Sequence, residues 1–176
     1  MLTAPAGSNG LLVIPHFSGS AAPYWNPIAK GLVFNMGLGT TRGEMCRAIL
    51  EGIAGEITEN ISIMQENTQK AETVYASGGL TNFEEYCSIL ADNLQLKVNR
   101  RKNTEATLLG CLLSACVTMG IYPDYRTAFT RVVSGECREY QPRTENKEAY
   151  EKARALRKDI YNALSAADIY TKAQQL

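Results

Sequence analysis

Ser77-Gly78-Gly79 is the strongest candidate for chemistry in this chain. It stands between a β-branched and aromatic run, Val74-Tyr75-Ala76, and a helical apolar pattern at Phe83, Tyr86, Cys87, Leu90, Ala91 and Leu94. Glycine has no Cβ to clash and can take positive φ, so main chain here can approach a flat or phosphorylated ligand. A helix starting directly after the turn would leave free N–H groups at the same place. In open α/β sheets, ligands gather at the carboxyl ends of strands. The plainer reading of such a pair is close packing of strand against helix.

Other reactive side chains read as structural. His16 follows Pro15 at a strand end with no nucleophile or acid partner in view, so it is expected as a structural or surface residue. Arg47 and Glu51 lie four apart on one helix, a spacing for a local ion pair of about 0.2–0.5 kcal/mol. A contact made on domain closure is the alternative for Arg47. Glu105 suits a helix start. The five cysteines are odd in number and lack CxxC spacing. Cys46, Cys87, Cys111 and Cys116 fall on apolar helix faces and are expected as small buried thiols of a reducing compartment. One histidine and these spacings argue against a zinc site, and no metal-binding residue is assigned.

These residues need elements to hold them. Leu11-Leu12-Val13-Ile14 reads as an apolar strand ending at Pro15. Residues 16–30 form a loop centred on Tyr24-Trp25, with Trp25 either in the core or on a cleft wall. Gly31 to Met36 is a second strand. Thr40 or Thr41 caps a long helix, with Glu44 in its first turn. Met45, Ile49, Ile53, Ile57 and Ile61 form its apolar stripe, widened by Ala48, Gly52 and Met64, and it ends near Asn67. A strand over 73–77, a helix over 82–95 and a short strand at 96–98 follow. Thr104 caps the next helix, which buries Ala106, Leu109, Leu113, Cys116 and Val117 and stops at Gly120. A short helix spans Tyr125 to Val133, and Gly135 to Thr144 is a loop. A last helix over 145–165 buries Tyr150, Ala153, Leu156, Ile160 and Leu164. Strands alternating with helices indicate βαβ units and a largely parallel sheet.

At 176 residues the chain fits one domain or part of a larger one. With 45% hydrophobic and 20% charged residues, its composition is that of a soluble globular protein. Eighteen basic against 18 acidic residues argue against a nucleic-acid or anionic-membrane partner. Arg100-Arg101-Lys102, the one dense basic run, reads as a solvated turn. No apolar run reaches membrane-spanning length. The start lacks a signal-peptide pattern, so a cytoplasmic protein is the default. The expected organisation is a linker over 1–10, a domain over 11–165 and a tail over 166–176.

Four separated blocks share one further property. They are Pro23-Tyr24-Trp25-Asn26-Pro27 with Gly31; Arg47-Ala48-Ile49-Leu50-Glu51-Gly52-Ile53-Ala54; Ser77-Gly78-Gly79-Leu80 with Ile89-Leu90-Ala91-Asp92; and Glu105-Ala106 with Leu109-Gly110 and Ala115. In this order and spacing the chain resembles, over about residues 10–165, the carboxy-terminal domain of the FGGY carbohydrate kinases. That family includes glycerol kinase, xylulokinase and gluconokinase. The resemblance implies an α/β domain of the ribonuclease-H-like, actin-like ATPase fold. It implies ATP and Mg2+ as cofactors. It also implies a sugar or polyol held mainly by an amino-terminal domain outside this chain.

Residue by residue, Gly78 and Gly79 match the family's adenosine-binding turn, and Leu80, Thr81, Asn82 and Phe83 match the start of the helix behind it. Where this chain has Phe83, the family often has Asn or Ser. Asn82 can reach the adenine from one residue earlier, and Phe83 can stack or simply pack. The family's catalytic Asp lies in a Gly-Asp-Gln motif on the domain's first hairpin, and neither that motif nor the Gly-Thr phosphate turn after it occurs here. The domain is thus expected to be incomplete at its amino-terminal hairpin, with no catalytic residue and no activity on its own. Gly37-Leu38-Gly39-Thr40 matches the entry to the long helix. The alternative is a non-catalytic regulatory or scaffold module derived from such a kinase. An exposed sheet edge would let copies pair as a homodimer.

Overall fold

A computed structural model describes residues 4–101, 105–133 and 137–175. β1 (Leu12–Ile14) and β2 (Leu32–Phe34) form an antiparallel pair with Val13 opposite Val33. All three β1 residues are buried. Leu11 and Val13 pack with Ala48 of α1 (Arg42–Glu66), and Ile14 packs with Tyr161 of α5 (Lys147–Ala166) and Tyr170 of α6 (Ile169–Ala173). A strand covered on both faces carries no alternation, which is why it reads as a continuous apolar run.

The second sheet has the order β3 (Thr73–Ala76), β4 (Lys97–Arg101), β5 (Cys137–Tyr140). β3 and β4 are parallel through α2 (Glu84–Leu94), a βαβ unit. β4 and β5 are antiparallel, so the expected loop at Gly135 to Thr144 contains a strand over residues 137–140 and the sheet is mixed. Tyr140 of β5 joins Ala54, Tyr86, Cys87, Ile89, Leu90, Ala91 and Val98 in the main core, between this sheet and helices α1 and α2. The polar residues Arg138 and Glu139 mask that strand in the sequence, because only Tyr140 is buried.

Local signals set the helix ends. Thr41 caps α1 with a complete capping box: its hydroxyl accepts from Glu44 N at 3.2 Å, and Glu44 accepts from Thr41 N at 2.6 Å. Such a cap is worth about 1 kcal/mol. Asn67 closes α1 where expected. After α3 (Ala106–Thr118), Gly120 takes φ 71°. Its N–H donates to Val117 O while Ile121 N–H donates to Cys116 O, a Schellman termination. The expected cap Thr104 lies outside the described residues. Asp124 caps α4 (Tyr125–Val132), accepting from Thr127 N at 2.7 Å.

Burial departs from the sequence reading in several places. On α1 the buried residues are Arg47, Ala48, Glu51, Gly52, Ala54, Gly55 and Thr58, while the isoleucine stripe is half-buried. α1 is gripped from two sides, by α2 and by β1 with α5, and this broad contact is centred beside the stripe. α5 buries Tyr150, Arg157 and Tyr161, and leaves Leu156 exposed. Gly55 makes room for the Arg157 guanidinium, which donates to Glu51 O at 2.9 Å. α3 buries no residue: Leu109, Leu113, Cys116 and Val117 are half-covered and Ala106 is exposed, because α3 packs mainly on α4. Of the cysteines expected inside, only Cys87 is buried, and Cys46 and Cys111 are exposed.

Neither terminal segment is a loose extension. Residues Gly7, Ser8, Asn9 and Gly10 all have positive φ, with Ser8 and Asn9 in conformations that L side chains rarely adopt. Contacts hold this run down: Ser8 is fully buried and its Oγ donates to Glu51 Oε2 at 2.8 Å. The expected linker over 1–10 is therefore, in its described part, packed structure. The expected tail over 166–176 carries α6, whose Tyr170 is buried against Tyr161.

Candidate functional site: the turn after strand β3

β3 ends at Ala76, and Ser77 leads into Gly78 at φ 104° and ψ 170°. That backbone position is open to glycine and costly for other residues. The chain then makes a 3-10 turn over Gly79–Asn82 before α2 begins. Thr81 locks the turn: it is buried, and both its N–H (3.0 Å) and its hydroxyl (2.7 Å) donate to Gly78 O. From below, the Cys87 thiol contacts Thr81 O at 3.4 Å.

The two glycines leave a bare surface. A Cβ built on either would meet nothing within 4 Å. The turn opens onto a groove of about 440 Å³ whose walls include Ile53, Ile57, Val74, Leu80 and Tyr86. A second recess of about 230 Å³ lies across the same strand end, where Arg101, Leu109, Gly110 and Phe129 meet Tyr75 and Ser77. Arg101 sits 5.7 Å from the Tyr75 ring centre and 5.1 Å from that of Phe129.

The five residues picked from the sequence are brought together, in different roles. Gly78 and Gly79 present main chain to the groove, and Leu80 is partly exposed on its wall. The Asn82 side chain is already engaged, its Oδ1 accepting from Arg100 Nη2 at 3.0 Å. Phe83 packs against the main core, which favours packing over stacking. Tyr86 N and Cys87 N bond back to Phe83 O, and Glu84 and Glu85 fill the first turn. Glu84 is ion-paired with Arg138, and Arg100 borders the turn through Asn82, so acidic and basic side chains meet at this end of the helix.

The remaining candidates lie elsewhere. His16 is buried, edge-on to Tyr24 and Tyr161, with Glu56 Oε1 2.5 Å from Nε2 but off the line of a hydrogen bond. Trp25, for which core and cleft wall were both open, is 75% exposed. In the Gly37–Thr40 turn, Thr40 accepts from Gly37 N at 2.9 Å and leads into α1. Every aspartate is remote from the glycine turn or already engaged. Asp92 is fully buried and accepts from Arg143 and Asn146. Asp124 caps α4, and Asp159 and Asp168 sit on or beside the last two helices. Among the described residues, no group of three or more His, Cys, Asp or Glu side chains is placed to hold a metal ion. Among the same residues, no helix is long and apolar enough to cross a membrane.

What the sequence reading missed is the pair Arg47–Glu51 as a buried centre. Arg47 donates to Glu51 Oε1 (2.7 Å), Ala4 O (3.1 Å) and Tyr150 Oη (2.8 Å), and Glu51 also accepts from Gly7 N (3.0 Å). Their position among Met45, Ile49 and Ile53 was a signal, since charged residues flanked by apolar positions on both sides of a helix face are candidates for burial.

Comparison with known proteins identifies the family and the fold. A sequence profile of the FGGY family of carbohydrate kinases, C-terminal domain, matches residues 2–119. The chain is 36% identical over 117 residues to a glycerol kinase of Pasteurella multocida (strain Pm70), covering 66% of this chain and 23% of that protein. It is 34% identical over 116 residues to glycerol kinase 2 of Sulfolobus acidocaldarius, covering 65% and 23%. A ligand-bound xylulose kinase from Lactobacillus acidophilus superposes with a TM-score of 0.82 at 27% identity, over 97% of this chain and 34% of that one. The Plasmodium falciparum glycerol kinase with ADP shares the fold, with a TM-score of 0.71 at 23% identity over 89% and 31%. The chain spans less than a quarter of the length of the two sequence relatives.

Proposed function

The chain belongs to the FGGY family of carbohydrate kinases, as its carboxy-terminal domain with the ribonuclease-H-like, actin-like ATPase fold, and from this premise we propose that it is the ATP-binding part of a sugar or polyol kinase. Gly78 and Gly79 form the floor for the adenosine moiety. Leu80 walls the groove, Asn82 borders the turn through its bond to Arg100, and Phe83 buttresses it from the core side. ATP supplies the phosphoryl group, and Mg2+ travels on its phosphates. The acceptor is a sugar or polyol hydroxyl presented by a domain outside this chain. Phosphoryl transfer relies on positioning and charge neutralisation, which suits a cleft between two domains.

The observation that supports this reading is the bare main-chain surface at Gly78 and Gly79, in a turn locked by Thr81 and bordered by an apolar groove. The isolated chain should not transfer phosphate, since each aspartate is engaged in caps or salt bridges or lies away from the turn.

Nucleotide titration followed by amide chemical shifts tests the proposal. ADP should move resonances of residues 76–84. Gly79→Val, a change into open space at an ordinary φ, should abolish those shifts while leaving the thermal melt unchanged. Saturable ADP binding that spares residues 76–84 would overturn it.

A further inference from the structure

The basic run Arg100-Arg101-Lys102, expected as a solvated turn, places its two arginines on β4. Their side chains diverge. Tyr75 of β3 stands opposite Asn99, and Ala76 opposite Arg100. Successive side chains alternate between the faces of a sheet, so Arg101 shares the face of Tyr75 while Arg100 shares that of the buried Val98. On its side, Arg100 donates to Asn82 Oδ1. On the other, Arg101 lines the recess of about 230 Å³, opposite Leu109 of α3 and Phe129 of α4.

Two rings hold Arg101 there and leave its donors available. Its guanidinium carbon stands over the Tyr75 ring at 5.7 Å and over the Phe129 ring at 5.1 Å. A cation over a ring is held through its charge, so the five N–H donors, which lie in the guanidinium plane, are not consumed. Arg138 and Arg143 are paired with Glu84 and Asp92, but among the described residues no carboxylate pairs with Arg101. The described lining of the recess contains the hydroxyls of Tyr75 and Ser77 and no carboxylate or carboxamide side chain. The recess and the larger groove share Tyr75, Ala76 and Ser77, the residues that lead into Gly78. A base extending from the glycine turn can therefore enter the recess.

A recess furnished with a charged donor discriminates between purines. Adenine carries an amino donor at its six position beside the N7 acceptor. Guanine and hypoxanthine carry an oxygen there, and so present two neighbouring acceptors. The arginine fork matches that pair with two parallel bonds, and a carboxylate or carboxamide that would receive the adenine amino group is missing from the described lining. We propose that Arg101 selects the base of the bound nucleotide, donating to O6 and N7 of a 6-oxopurine. GTP and ITP then join ATP as phosphoryl donors and are held more tightly than ATP. The proposal rests on Gly78 and Gly79 as the nucleoside floor and adds the identity of the base.

Isothermal titration calorimetry of the 176-residue chain with ADP, GDP and IDP tests it. GDP and IDP should bind at least about fivefold more tightly than ADP, the lower end for a bidentate arginine contact to a base. Arg101→Met keeps a stem to pack on Tyr75 and Phe129 and removes the donors. It should weaken GDP and IDP by at least that factor and change ADP by less than about twofold, with the circular dichroism spectrum unchanged. Arg101→Lys keeps the charge without the fork; it should also equalise the three nucleotides, and it decides the matter if the methionine variant unfolds. ADP binding through residues 76–84 with GDP and IDP bound no better overturns this proposal and leaves the glycine floor standing. So does a variant that weakens all three alike, because Arg101 would then touch the ribose or phosphates they share. A preference for GDP without IDP overturns it too, since that needs the 2-amino group. Binding of none of the three overturns the glycine floor with it.

Discussion

Arg47 and Glu51, one turn apart on α1, form a buried ion pair that ties the start of the chain and α5 to the long helix. Nε and Oε1 are 2.7 Å apart, and the outer atoms of the pair bond to Ala4, Gly7, Ser8 and Tyr150. An exposed pair at this spacing contributes a few tenths of a kcal/mol. A buried pair behaves otherwise, because removing one partner strands the other charge without water. Glu51→Ala should therefore cost about 3–5 kcal/mol. Urea unfolding monitored by circular dichroism gives the number. A loss below about 1 kcal/mol, the range of exposed pairs, would show that water reaches Arg47.

Gly52 makes a different kind of close contact. A Cβ there would stand 2.6 Å from the Val13 carbonyl oxygen, which is main chain and cannot swing aside. Gly52→Ala should raise local helix propensity yet lower stability, by about 1–3 kcal/mol, as α1 is pushed off β1. A variant that melts at or above the wild-type temperature would mean that the helix can slide along the strand.

Alkaline pH should unfold the domain. Burial pushes the Tyr86 phenol up to about 12 from an ordinary value near 10. The phenols of Tyr24 and Tyr150 are raised further, first by burial and then by the neighbouring carboxylates of Glu59 and Glu51. A raised folded value means that the folded state holds its proton where the unfolded state has lost it. Stability is thus complete below pH 10 and falls as pH rises from about 10 towards 12. Denaturant midpoints measured across that window should drop, and Tyr86→Phe should make the drop shallower. A flat profile would show that these rings are solvated in the native state.

The glycine turn shows how far local sequence reaches. A strand followed by Gly-Gly and an amphipathic run defines the turn and the helix behind it, because backbone freedom and periodicity act over a few residues. The same holds for the Thr41–Glu44 capping box and for the stop at Gly120. Asn82 and Phe83 lay beyond that reach. Whether Asn82 is free depended on Arg100, eighteen residues away on β4, and Phe83 is set by packing against the core.

By itself, the order of residues determined most of the elements, though not β5 or α6, the βαβ unit around the turn and, through four spaced blocks, the kinase family. Only the tertiary structure decided which faces are covered. Arg47, Glu51 and Arg157 became interior because α1 is gripped from two sides, and α3 stayed exposed because one small helix is its main neighbour. Hydrophobic periodicity tells which side of an element prefers to be dry. The burial it obtains depends on segments distant in the chain, and no local pattern encodes them.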